Sequence, residues 1–164
     1  MKKFWMFMGV MLLWSVPNPV LAVVGSCTQD VAIVQSSVSQ SGEARVLTFT
    51  CTGGTAGDAG AIAAITISDA NVKLLKSWYL YMAQSTPGVG GLTADWDYTL
   101  KDGNGLDKMG GNGTDMSATL SQERMPLIAA GIGFAKPLKS AWIFAITNNS
   151  VASSPVVVDF WFVQ

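Results

Sequence analysis

Apolar and polar residues alternate with a period of two in several short stretches of this chain, and that period sorts side chains onto the two faces of a β-strand. The sharpest case is DWDYTLK, residues 95–101, where Trp96, Tyr98 and Leu100 share one face and Asp95, Asp97, Thr99 and Lys101 the other. It runs into Asp102-Gly-Asn-Gly, whose glycine and asparagine supply the positive φ of a tight reversal. Leu106 and Met109 then resume an apolar pattern before Gly110, Gly111 and Gly113. The spacing predicts a hairpin.

The same alternation puts Leu47, Phe49 and Cys51 on the core face of a strand over 45–51 and Val46, Thr48 and Thr50 on its back. Residues 31–37 precede it as a short strand, with a polar turn at 39–42. A loop rich in glycine, alanine and threonine covers 52–60, and the β-branched run 62–68 reads as a strand. Residues 72–76 form a helical turn. In 77–83, Trp78, Leu80 and Met82 oppose Tyr79 and Tyr81, so both faces carry large bodies, as in a central strand or an interface. A loop spans 86–91.

Residues 117–124 fit either a strand or a helical turn. The apolar stretch 125–139 holds two prolines and two glycines and reads as a packed irregular segment. Strands over 140–147 and 156–163 flank the loop 148–153 and are expected to pair as a hairpin. In the last strand Val156, Val158, Phe160 and Phe162 face inward, which leaves Val157, Trp161 and Val163 outside around Asp159. That greasy exterior calls for a second covering layer or a subunit contact. Short strands, glycine-rich turns and almost no amphipathic helix predict an all-β chain: a single antiparallel β-sandwich or jelly roll.

The chain begins with Met1-Lys2-Lys3 and an apolar run over 4–16, broken by Pro17 and Pro19 and followed by Val20-Leu21-Ala22. This is the pattern of a signal peptide cleaved after Ala22, and the run falls short of the roughly 20 residues that cross a bilayer. Residues 1–22 are therefore expected to be an N-terminal hydrophobic leader and 23–164 the β-sandwich domain. The expected address is periplasmic, cell-surface or extracellular. In such a compartment Cys27 and Cys51 read as one disulfide, worth roughly 3 kcal/mol by loop closure. The alternative is lipidation at Cys27, because Val24-Gly25-Ser26-Cys27 resembles a lipobox; apart from the leader, that would be the chain's one tie to a membrane.

Removing Lys2 and Lys3 leaves 8 basic against 11 acidic residues, and no basic patch recruits nucleic acid. With 49% hydrophobic and 13% charged residues the chain can bury a sizeable core. It has no histidine, which removes Ser-His-Asp and Cys-His nucleophiles and the commonest metal ligand. Asp95 and Asp97, two apart, are the remaining acid/base pair, and surface charge is their ordinary reading. Asp102, Asn104 and Asp107 resemble part of a calcium loop, although turn formation alone explains them. Asn112-Gly-Thr114 and Asn148-Asn-Ser150 match the glycosylation sequon. No catalytic residue, cofactor or metal is expected.

DYTLKDGNGLD at 97–107, MGGNG at 109–113 and SQERMPL at 121–127 resemble a family of small β-rich structural proteins of tailed-phage and prophage virions. The likeness spans 31–163 and includes ITNNSV at 146–151 and the early strand at 45–52. It implies a non-enzymatic virion component of the head-decoration or tail-associated type, and no catalytic residue transfers with it. The leader and the cysteine pair depart from that family, whose virions assemble in the cytoplasm; they fit a surface-displayed relative.

Two functions follow as expectations. The first is a non-enzymatic structural or assembly subunit, a homo-oligomer or a coat on a larger particle, with Tyr79, Tyr81 and Trp161 as interface candidates. The alternative is an exported binding module, either a fimbrial subunit or a carbohydrate-binding domain. Strand donation by a pilin is disfavoured because so little chain separates Ala22 from Cys27.

Overall fold

The structure is a computed structural model that describes residues 23–37, 39, 41–55, 59–128, 131–132 and 140–164. The expected leader, 1–22, lies outside the described residues, as do 129–130 and 133–139 of the expected irregular segment. Among the described residues no helix is long and apolar enough to cross a membrane.

The strands are β1 (Ser26–Gln35), β2 (Glu43–Thr52), β3 (Ile65–Thr66), β4 (Tyr79–Pro87), β5 (Asp97–Lys101), β6 (Gln122–Arg124), β7 (Leu127–Ile128), β8 (Gly131–Ile132), β9 (Ile143–Thr147) and β10 (Pro155–Val163). A short helix, α1 (Asp69–Leu75), joins β3 to β4; Ser68 caps it by accepting from the Asn71 N–H. The large sheet has five strands in the order β1-β2-β10-β4-β6, the small sheet three in the order β3-β9-β5, and β7 pairs with β8. Every strand pair is antiparallel. The chain is all-β, two antiparallel sheets facing each other.

Alternation decides what lies between the sheets. Leu47, Phe49 and Cys51 of β2 and Val156, Val158, Phe160 and Phe162 of β10 are buried, as are Trp96 and the Tyr98 and Leu100 of β5. Phe49 stacks on Phe144 of β9 at 4.3 Å between ring centroids, and Phe160 meets Phe49, Tyr98 and Phe144 edge-on at 5.9, 5.9 and 5.6 Å. Offset and edge-to-face contacts satisfy the ring quadrupoles, so this cluster clamps one sheet to the other.

The Tyr98 hydroxyl sits in that cluster without a hydrogen-bond partner among the described residues. Burial pushes its pKa up, against a smaller lowering by the Arg124 charge. A raised folded-state pKa means that this residue's share of stability is intact below about pH 10 and is lost as pH rises beyond it. Tyr98→Phe is accordingly expected to be neutral or stabilising by up to about 1 kcal/mol near pH 7 and to flatten the alkaline fall in stability. Urea titrations at neutral and alkaline pH check this; a loss above 1 kcal/mol at pH 7 would reveal a bond that the hydroxyl makes.

The structure corrects four expectations. First, β9 and β10 do not form a hairpin: β9 pairs with β3 and β5, β10 with β2 and β4. Each strand buries one full face, so the two meet face to face across the core and their connection is an arch between sheets. Second, the turn after β5 does not lead into a paired strand. Single bridges, Lys101 with Asp107 and Trp96 with Met116, replace a ladder, and the partner of β5 is β9. Third, only Ile65–Thr66 of the expected strand 62–68 is a strand; Ile62 makes one bridge to Gly25. Fourth, Met82 does not share a face with Leu80. The pairing with β10 shifts between Trp161 and Phe162, so Phe162 opposes Leu80 while Trp161 opposes Met82, and Tyr81 is the extra residue of a β-bulge. The bulge moves Met82 to the outer face.

Cys27 and Cys51 lie directly opposite each other on β1 and β2 and are disulfide-bonded, with Cα atoms 4.0 Å apart. A sulfur held in that bond is not available for the thioether of a lipid anchor.

Candidate functional site

The acidic groups singled out by sequence are held by the backbone. Asp95 stands at φ 59° in the turn before β5, outside the strand's alternation, so it does not share a face with Asp97 as a pair. Asp97 accepts from the Asp115 N–H at 3.0 Å and from the Asn148 amide. Asp102 Oδ1 accepts from the N–H groups of Asn104 and Leu106 at 2.9 and 3.0 Å, and its Oδ2 pairs with Lys108 Nζ at 2.7 Å. The Lys108 hydrogen bond is the main cause that holds the Asp102 carboxyl below its usual range.

Asp107 does the work of the missing strand. Its Oδ1 accepts from Leu100 and Met109 N–H groups at 3.1 and 3.2 Å and its Oδ2 from Gly111 N–H at 2.8 Å. Turn formation thus accounts for Asp102, Asn104 and Asp107, and among the described residues no group of three acidic, histidine or cysteine side chains is placed to hold a metal. The melting temperature is expected to be the same with calcium and with chelator, while Asp107→Ala costs about 2–3 kcal/mol in both conditions. Calorimetry with each addition checks this; a calcium-dependent rise would reinstate the metal site.

What remains is a surface, the outer face of the large sheet. Cross-strand register sets its rows. Val34, Ala44, Val163 and Tyr79 form one, and Ala32, Val46, Trp161 and Met82 the next. A polar row follows, with Asp30, Thr48, Asp159, Gln84 and Glu123, then Thr28, Thr50, Val157 and Thr86. Thr48 donates to Asp159 Oδ1 at 2.6 Å across the strand pair. The face is therefore divided: at one end Tyr79, Met82 and Trp161 reach the surface beside buried Ala44, Val46 and Val163, and at the other stand hydroxyl, amide and carboxylate groups.

Of the three interface candidates, Tyr79 and Trp161 fall in adjacent rows of the aromatic end, and Tyr81 is the bulge residue between Leu80 and Met82. Tyr79 is 44% exposed, Tyr81 and Trp161 are half-buried, and the Trp161 indole N–H is buried without a partner among the described residues. Met82, Gln84 and Asp159 belong to the same surface and were not singled out by sequence. The signal for Met82 was hidden by the bulge, since strict alternation assigns it inward. Gln29 was also passed over: at an inward position of β1, its amide donates to Thr66 O at 2.9 Å and accepts from Ser68 N and Asn71 Nδ2. A glutamine alternating with Cys27 and Val31 is the readable sign of such a bridge between sheets. The amide nitrogens of both sequon asparagines are engaged, Asn112 with Met125 O and Asn148 with Asp97.

No family model matches this chain, and no curated protein does. A solved structure, the xylan-binding domain CBM22-1 from Paenibacillus barcinonensis, is similar at 11% identity and a TM-score of 0.33, over 87% of this chain and 90% of that one.

Proposed function

We propose that this chain is an exported, non-enzymatic binding module that takes a glycan chain on the outer face of its large sheet. The observation that carries the reading is the juxtaposition of Tyr79, Met82 and Trp161 with the row of Asp159, Gln84 and Glu123. A sugar ring has apolar C–H faces and a hydroxyl rim. Tyrosine and tryptophan bodies suit the faces, and a neighbouring line of carboxylates and an amide suits the rim. The disulfide supports an oxidising compartment.

The test is a glycan array followed by calorimetry with the polysaccharides that score. Tyr79→Ala and Trp161→Ala should each weaken binding about tenfold or more, as truncated aromatic anchors do. Thr28→Ala, far from the aromatic end, should leave it unchanged. Absence of glycan binding, or variants that bind like the parent, would reject the reading.

A second reading, a structural subunit such as the virion component implied by the sequence resemblance, is favoured by the exposed ring of Tyr79 beside half-buried Met82 and Trp161, which a second subunit could cover; Ala44, Val46 and Val163 in the same rows are already buried. Joint replacement of Tyr79, Tyr81 and Trp161 by serine would then abolish particles or filaments seen by electron microscopy while the subunit stays folded. A monomer that forms neither excludes this reading.

A further inference from the structure

β1 is an edge strand of the large sheet, and its free edge has a definite phase. Cys27 and Cys51 oppose each other at a Cα separation of 4.0 Å, the close spacing of a non-hydrogen-bonded antiparallel pair. The Cys27 N–H and C=O therefore point away from β2, and by alternation so do those of Gln29, Val31, Ile33 and Gln35. Gly25 shows the same phase: its N–H donates to Ala61 O at 2.8 Å and its C=O accepts from Ala63 N–H at 3.0 Å. Beyond Gly25 no backbone group among the described residues fills the edge.

Edge strands are ordinarily guarded by lysine, proline, a bulge or short length. β1 has none of these: it is 10 residues long, SCTQDVAIVQ, with Asp30 as its one charge and a register with β2 free of bulges. Ile33 is 59% exposed. The open stretch is also bounded, by the 61–63 segment at Gly25 and by the turn that Ser36 N–H closes on Gly42 O at 3.0 Å. An occupant must be an extended strand of about the same length.

We infer that the occupant is β1 of a second copy of this chain, paired antiparallel about a two-fold axis at Val31. In that register Val31 faces the partner's Val31, Gln29 faces the partner's Ile33 and Cys27 faces the partner's Gln35, so every outward-pointing N–H and C=O from Cys27 to Gln35 is satisfied. Asp30 faces the partner's Ala32, which keeps the two carboxylates from direct opposition. A two-fold of this kind is isologous and closes at a dimer. Because opposed residues in a sheet point to the same side, the two outer faces become one continuous surface. Two copies of the aromatic end then lie on the same side of the dimer, able to engage a long repetitive ligand together. The pairing itself does not depend on what that face binds.

The test is sedimentation and light scattering of the exported protein over a dilution series, with residue-resolved amide exchange. The expected result is a dimer in which the amides of Gln29, Val31, Ile33 and Gln35 are protected and lose protection on dilution, while Thr28, Asp30 and Ala32, bonded to β2, stay protected throughout. Val31→Pro removes an outward N–H and no bond of the β1–β2 ladder, and Ile33→Lys sets a charge at the exposed edge. Both should give folded monomers by circular dichroism. A parent that is monomeric at all concentrations overturns the inference. So does a dimer that survives Ile33→Lys with the alternate amides unprotected, since it would be built on another surface.

Discussion

Phe160→Ala should lower the unfolding free energy by about 3–5 kcal/mol, the range for deleting a buried phenylalanine. Phe160 is fully buried on β10, the central strand of the large sheet, and meets rings from β2, β5 and β9. Three edge contacts hold the cavity walls apart: Phe49 and Phe144 are already stacked on each other, so neither can swing into the space without breaking that stack. The site collapses poorly, which places the cost toward the upper end. Against a typical total of about 5–15 kcal/mol the loss is a large fraction, and it should appear as a fall in melting temperature of about 10–15 °C for a domain of this size. Val89→Ala, at a side chain 97% exposed, should move neither quantity measurably. Chemical denaturation of both variants decides; a Phe160→Ala loss below 1.5 kcal/mol would mean that the two sheets are not clamped by this cluster.

The residues that make that clamp were legible because burial follows the period of two. Leu47, Phe49 and Cys51, Trp96, Tyr98 and Leu100, and Val156, Val158, Phe160 and Phe162 face inward as the alternation requires, and a helical turn stands close to where 72–76 placed it. Partner choice was not legible. Alternation says that a strand has a buried face, but it is silent on which neighbour takes its edge, and a short polar loop between two strands serves an arch as well as a hairpin. That is why β9 and β10, adjacent in sequence, were expected to pair and instead face each other.

The outer face failed for a related reason. One extra residue, Tyr81, reverses the assignment of Met82, and nothing local in SWYLYMA marks the bulge. Asp107 was read as a turn residue, but its reach was not legible: besides the Met109 and Gly111 N–H groups of its own turn, Oδ1 takes the Leu100 N–H of β5, which no strand covers.

Asn149→Ala is expected to cost about 2–4 kcal/mol, an effect that no sequence pattern announced. The side chain sits in the β9–β10 arch and uses both ends of its amide. Nδ2 donates to Gly60 O and Ser154 Oγ, each at 2.8 Å, and Oδ1 accepts from Thr93 N–H at 3.1 Å and Val151 N–H at 3.3 Å. It thereby ties three segments together: the arch, the loop before β3 and the loop before β5. Gly60 is buried against it at φ 81°, where an added Cβ would fall 2.5 Å from Ser150 backbone atoms, so the loop cannot retreat and find other partners. Truncation leaves a buried carbonyl and amide N–H groups unpaired, and that desolvation sets the magnitude. Asn149→Asp is the sharper probe. It keeps the acceptor but turns a second oxygen toward the Gly60 carbonyl, so it should cost at least as much as alanine. Asn148→Ala, on an exposed side chain whose amide donates to Asp97, should cost less than either. Urea denaturation of the three variants, with amide exchange at Gly53, Gly54 and Thr93, provides the check. Equal stability of Asn149→Asp and the parent would show that the donor bonds to Gly60 O and Ser154 Oγ do not hold the arch to the loop before β3.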